Sequence, residues 1–95
     1  MFSEQVVVNG RRYRFDYKEQ PNRTLIAISS SEVWDEQDET TVVKLSQLLS
    51  ERFQVSSNPK LQRMLFVQKS EPNGNAVSVP VEELKAIVET CLEKL

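Results

Sequence analysis

The stretch FSEQVVVNGRRYRFDY, residues 2–17, holds two runs of alternating side chains on either side of Asn9-Gly10. Asparagine followed by glycine tolerates the positive φ angles of a two-residue type I′ turn, so the stretch is expected to fold as a β-hairpin. A two-residue loop also fixes the register. Val8 should face Arg11, Val6 should face Tyr13, Glu4 should face Phe15 and Phe2 should face Tyr17. Successive side chains on a strand point to opposite sides, so this pairing gathers the apolar residues on one face. The other face is left with Gln5, Val7, Arg12, Arg14 and Asp16.

Outward from the hairpin, residues 20–23 (QPNR) read as a turn and residues 24–29 (TLIAIS) as a third strand, with Ile26 and Ile28 favoured for the inner face. The spacing of Val42, Leu45, Leu48, Leu49 and Phe53 then predicts a helix over Asp38–Phe53. An earlier start, with Ser29 and Glu32 as a capping box, is the alternative. Val55 and residues 56–59 (SSNP) read as the helix exit. Leu61–Lys69 is expected as a fourth strand, residues 72–75 (PNGN) as a turn and Ala76–Val79 as a fifth. Pro80 suits the first position of a second helix, whose apolar stripe runs through Val81, Leu84, Ile87, Val88, Cys91, Leu92 and Leu95.

These elements give the order βββ-α-ββ-α within a single α+β domain spanning residues 1–95, with a mainly antiparallel sheet and both helices packed on one of its faces. That arrangement leaves the second face without a cover. Leu65 and Val67 alternate with Met64 and Phe66, so whichever pair meets the helices, the other faces away. The uncovered face is therefore the expected contact surface for a protein partner or a second copy of the chain, with Val7, Met64, Leu65, Phe66 and Val67 as candidate interface residues.

Composition narrows the function classes. The 95 residues include 12 basic and 14 acidic side chains, a formal net charge of −2, which argues against a chain devoted to coating nucleic acid. No histidine is present, so the usual proton-transfer group and the commonest imidazole metal ligand are both missing. The single cysteine, Cys91, lies on the apolar stripe of the last helix and reads as core rather than nucleophile. Gly10 and Gly74 both belong to turns, which leaves no glycine-rich phosphate cradle. The expectation is a binding protein rather than an enzyme, with no cofactor. The lone cysteine, the absence of a secretory pattern at the N-terminus and the absence of a long apolar run make the cytoplasm its expected compartment, away from membranes.

Two further features bear on partners. Trp34 stands in an acidic stretch, residues 32–39 (EVWDEQDE), and is a candidate interface anchor; the favoured alternative folds Val33 and Trp34 back over the edge of the core. Arg12 and Arg14, extended by Lys60 and Arg63, make a nucleic-acid surface the second functional hypothesis, although Tyr13 and Phe15 alternate to the opposite face and cannot stack bases beside those arginines. A third hypothesis, an acidic metal-dependent enzyme, would need Asp35 and Asp38 to share an ion; the stretch lacks the glycine of a calcium loop, and solvated acids at a helix start are the simpler expectation.

Overall fold

The computed structural model describes residues 2–58 and 61–95. Its sheet has six strands: β1 Phe2–Val8, β2 Arg11–Glu19, β3 Thr24–Ser30, β4 Gln54–Asn58, β5 Leu61–Ser70 and β6 Ala76–Ser78. Two helices, α1 Glu36–Leu49 and α2 Val81–Leu92, follow β3 and β6, making this an α+β fold. All strand pairs are antiparallel, in the order β1-β2-β3-β5-β4 with β6 alongside β5.

The β1–β2 register is the one Asn9-Gly10 dictates, from Val8↔Arg11 to Phe2↔Tyr17. Asn9 at φ 51° and Gly10 at φ 80° both occupy the left-handed region that a type I′ turn requires. The registers of the other strand pairs carry this parity across the sheet. Phe15 faces Ile28 and Tyr17 faces Ile26, which in turn faces Leu65. The inner face thus carries Tyr13, Phe15, Tyr17, Ile26, Ile28, Leu65 and Val67, all buried with Val42, Leu45, Leu49, Leu84, Val88 and Cys91 of the helices in one cluster. Each such side chain contributes about 1.5–3 kcal/mol by leaving water.

Residues 54–58 form a strand where a helix exit was expected. Strand β4 lies at the edge and has its inner face covered by α1, so one inward apolar residue, Val55, suffices to seat it opposite Val67. Its serines remain exposed and give the segment the composition of a turn. Pro59, the last residue of that expected exit, lies outside the described residues. Strand β6 extends the line of β3. Gln68 pairs with Gln54 on one side and Ser78 on the other, and β3 leaves β5 after Thr24↔Val67. Thr24 closes the junction, its Oγ1 donating to Val79 O at 2.6 Å and accepting from Val79 N at 2.9 Å.

Helix α1 starts two residues before Asp38, because Asp35 is its cap. Asp35 Oδ1 accepts from Gln37 N at 3.0 Å and Asp38 N at 3.3 Å, and Asp38 Oδ2 accepts from Asp35 N at 2.9 Å, a reciprocal capping box. Ser29 belongs to β3, which removes the alternative box at Ser29 and Glu32. The helix ends at Leu49 rather than Phe53, and turns through Ser50–Phe53 lead into β4. Pro80 sits one position before α2, with ψ 137°, and caps it without a side-chain bond.

Candidate functional site

Among the described residues, no helix lies on the outer face of the sheet. At its centre Phe66 lies beside Leu25, and Met64 beside Ala27, on paired strands β5 and β3. All four are half-buried. The Arg23 guanidinium stacks over the Phe66 ring, 4.2 Å from its centroid, a cation–π contact that shields part of the ring while leaving the charge in solvent. Next to Ala27 stands Asp16, and next to Leu25 stands the exposed Lys18. Asp16 Oδ1 accepts from Ser3 Oγ at 2.5 Å and from Arg14 Nε at 3.0 Å, closing the patch on the β2 side. The resulting surface is a small apolar centre with Arg23, Lys18 and Arg14 around it and one carboxylate already paired.

Only part of the expected interface belongs to this surface. Leu65 and Val67 point the other way and are 1% and 0% exposed, because their parity matches Ile26 and Thr24 and puts them beneath the helices. Both leave the candidate site. Val7 shares the outer face and is 65% exposed, but its row, with Arg12, is separated from the Met64 row by Gln5, Arg14 and Ser29. Leu25, Ala27 and Arg23 join the site instead. Alternation on β3 supplies the first two once Ile26 and Ile28, rather than Leu25 and Ala27, are placed inward; Arg23 could not be placed over Phe66 before strand pairing was known.

Trp34 lies on the helix side, packed against the core. Tyr13 meets it edge-on, with centroids 6.5 Å apart and planes at 79°, and the Arg63 guanidinium covers it at 4.6 Å. Trp34 is therefore a lid on the edge of the core and not part of the outer face. Val33 does not fold back with it and is 88% exposed. Arg63, by the same contact, lies on the opposite side of the sheet from Arg12 and Arg14, so these arginines do not form one basic surface. Lys60 lies outside the described residues.

The acidic stretch contains an ionic cluster. Asp38 is 0% exposed, its carboxylate accepting from the Tyr13 hydroxyl at 2.5 Å and from Arg11 Nη1 at 2.6 Å. Arg11 also meets Asp35 at 3.0 Å and Glu32 at 3.1 Å. Desolvation opposes the Asp38 charge, but the bonds from Tyr13, the Asp35 backbone and Arg11 outweigh it and hold its carboxyl below the usual range. Burial, together with the bond to Asp38, pushes the Tyr13 phenol up to about 12. A guanidinium thus occupies the position between Asp35 and Asp38 that the metal hypothesis reserves for an ion, and among the described residues no group of three or more His, Cys, Asp or Glu side chains is arranged to hold a metal. Cys91 is buried, its thiol pushed up by desolvation.

No family model, curated protein or solved structure matches the chain. No helix among the described residues is long and apolar enough to cross a membrane.

Proposed function

We propose that this chain is a cytoplasmic protein-interaction module that binds a partner through the helix-free sheet face. The observation that carries the reading is the apolar strip formed by Leu25, Ala27, Met64 and Phe66, which both helices leave uncovered. Its cationic surround, Lys18 and Arg23, favours a partner with apolar side chains at the centre of contact and carboxylates around them. The cytoplasmic assignment rests on the lone, buried Cys91 thiol, which suits a reducing setting.

Immobilised wild-type protein and a Met64→Ser/Phe66→Ser variant, exposed to the same cell extract, test this function. A protein recovered by the wild type and lost from the folded variant is the expected result. Equal recovery by both would remove the sheet face from the function. The nucleic-acid alternative retains Arg12 and Arg14 on this face, but Arg14 is held by Asp16 and Arg63 points elsewhere. A single-stranded oligonucleotide titrated at low and moderate salt should accordingly give no saturable complex.

A further inference from the structure

Strands β1 and β4, at the two ends of the order β1-β2-β3-β5-β4, differ in how their edges are protected. Strand β4 is five residues long, and its pairing with β5 shifts register between Ser57 and Asn58, an irregularity that interrupts the edge. Strand β1 has seven residues and pairs with β2 without a shift. It has no proline and no lysine, and its one charge, Glu4, points inward. An inward charge is one of the devices that protect an edge, but this carboxylate accepts from the Tyr17 hydroxyl at 2.8 Å and lies 3.9 Å from Lys85 Nζ, so it is already paired within the monomer and does not repel an approaching strand. Phe2 and Val7, 37% and 65% exposed, both belong to this edge.

The hairpin determines which main-chain groups β1 presents. A two-residue turn makes Val8 and Arg11 a hydrogen-bonded pair, and antiparallel pairs alternate from there. Val8, Val6, Glu4 and Phe2 therefore direct N–H and C=O to β2, whereas Ser3, Gln5 and Val7 direct theirs to the free edge. The opposite strand agrees. Arg12 O, in the residue facing Val7, accepts from Ser31 N at 3.2 Å, and Arg14 O, in the residue facing Gln5, lies 3.5 Å from Ser29 Oγ, so both carbonyls point to β3.

We propose that β1 pairs antiparallel with β1 of a second copy, about a two-fold axis through Gln5. This register sets Gln5 opposite the partner's Gln5 and Ser3 opposite the partner's Val7, and so uses all three outward residues of each strand. A shift of the axis to residue 4 or 6 leaves outward groups of the described strand unmatched. On the inner side Phe2 comes beside the partner's Val8, and Glu4 beside the partner's Val6, which keeps the two carboxylates apart. A groove of about 350 Å³ lined by Phe2, Val81, Glu82, Lys85, Ala86 and Glu89 lies at the Phe2 end of this edge, beside the position of the partner's Val8. The axis stands across the sheet, so the two outer faces end up on the same side of one continuous sheet. Pairing at this edge does not depend on what the outer face binds.

The oligomeric state and a crosslink test it. One strand pair is a small contact, so light scattering from about 1 µM to about 500 µM should show mass rising from 11.0 kDa toward twice that value. Gln5→Pro removes a central edge N–H that the monomer does not use, and Val7→Lys adds an edge charge; either should keep the far-UV circular dichroism and abolish the rise. Directly opposed residues of a hydrogen-bonded pair lie about 5.5 Å apart between Cα atoms, within reach of a disulfide. Gln5→Cys should therefore crosslink under mild oxidation, while Ser3→Cys, four residues out of step with its own copy, should not. Phe66→Ser should leave the dimer intact, which separates this inference from the outer-face function. A wild type that stays monomeric throughout, or a dimer untouched by both edge variants, overturns the proposal.

Discussion

Asp38 shows how one side chain joins a helix start to a strand. As the third residue of α1 it completes the cap with Asp35, and as a buried carboxylate it accepts from Arg11 and Tyr13 of β2. Asp38→Ala removes the reciprocal half of the capping box, the acceptor of Asp35 N, and leaves the buried Tyr13 hydroxyl and Arg11 without their acceptor, so we expect a loss of about 2–4 kcal/mol in denaturant melts. The pH dependence has a defined sign. The folded carboxyl titrates below its ordinary value, so its contribution is complete above pH 3.8 and is lost as pH falls through the depressed value. Tyr13 behaves oppositely. Its folded phenol titrates at about 12 against 10.0, so stability is complete below pH 10 and declines between pH 10 and 12 as unfolded chains ionise first. Phenolate absorbance in wild type and Tyr13→Phe should locate this late titration.

Strand β5 divides its side chains between two environments and so supplies an internal comparison. Leu65→Ala empties a site in the core and should cost about 2–5 kcal/mol, whereas Phe66→Ser, on the outer face, should stay within about 1 kcal/mol. Similar losses from both would mean that the outer face is not open. Thr24→Val should cost about 1–3 kcal/mol, since it leaves the buried Val79 N–H and C=O without the Thr24 hydroxyl, and the Val79 amide should exchange faster with deuterium. The hairpin register was legible in the sequence because Asn9-Gly10 is a local instruction. Strand β4 was not, because an edge strand under a helix needs one inward residue and tolerates serine elsewhere. The Asp38 cluster was hidden for another reason: Arg11 is 27 positions away, and only the folded chain brings them together. The same holds for Arg23 over Phe66 and Arg63 over Trp34, contacts that depend on the pairing of β3 with β5 and on the path of the chain after β3.

Helix α2 opens either alone or with the sheet it covers. Its buried residues Leu84, Val88 and Cys91 belong to the same cluster as the sheet. It is also tied at its start, where Val81 N donates to Glu19 at 3.1 Å and Glu83 pairs with Lys69 at 2.8 Å. The N-terminal end of α2 follows directly on the Thr24–Val79 junction, so detaching the helix would draw β6 away from β5 and expose the inner face over Tyr17 and Ile26. We therefore expect the fold to open as one cooperative unit, with Cys91 as its reporter. The thiol is buried and held protonated by desolvation, so labelling by an aromatic disulfide in native buffer should be at least about 1,000-fold slower than in denaturant, as marginal stabilities of small domains imply. Adding denaturant at low concentration should accelerate labelling with the same dependence as the global melt. A labelling rate insensitive to denaturant would show instead that α2 frays locally, and would uncouple the last helix from the sheet it covers.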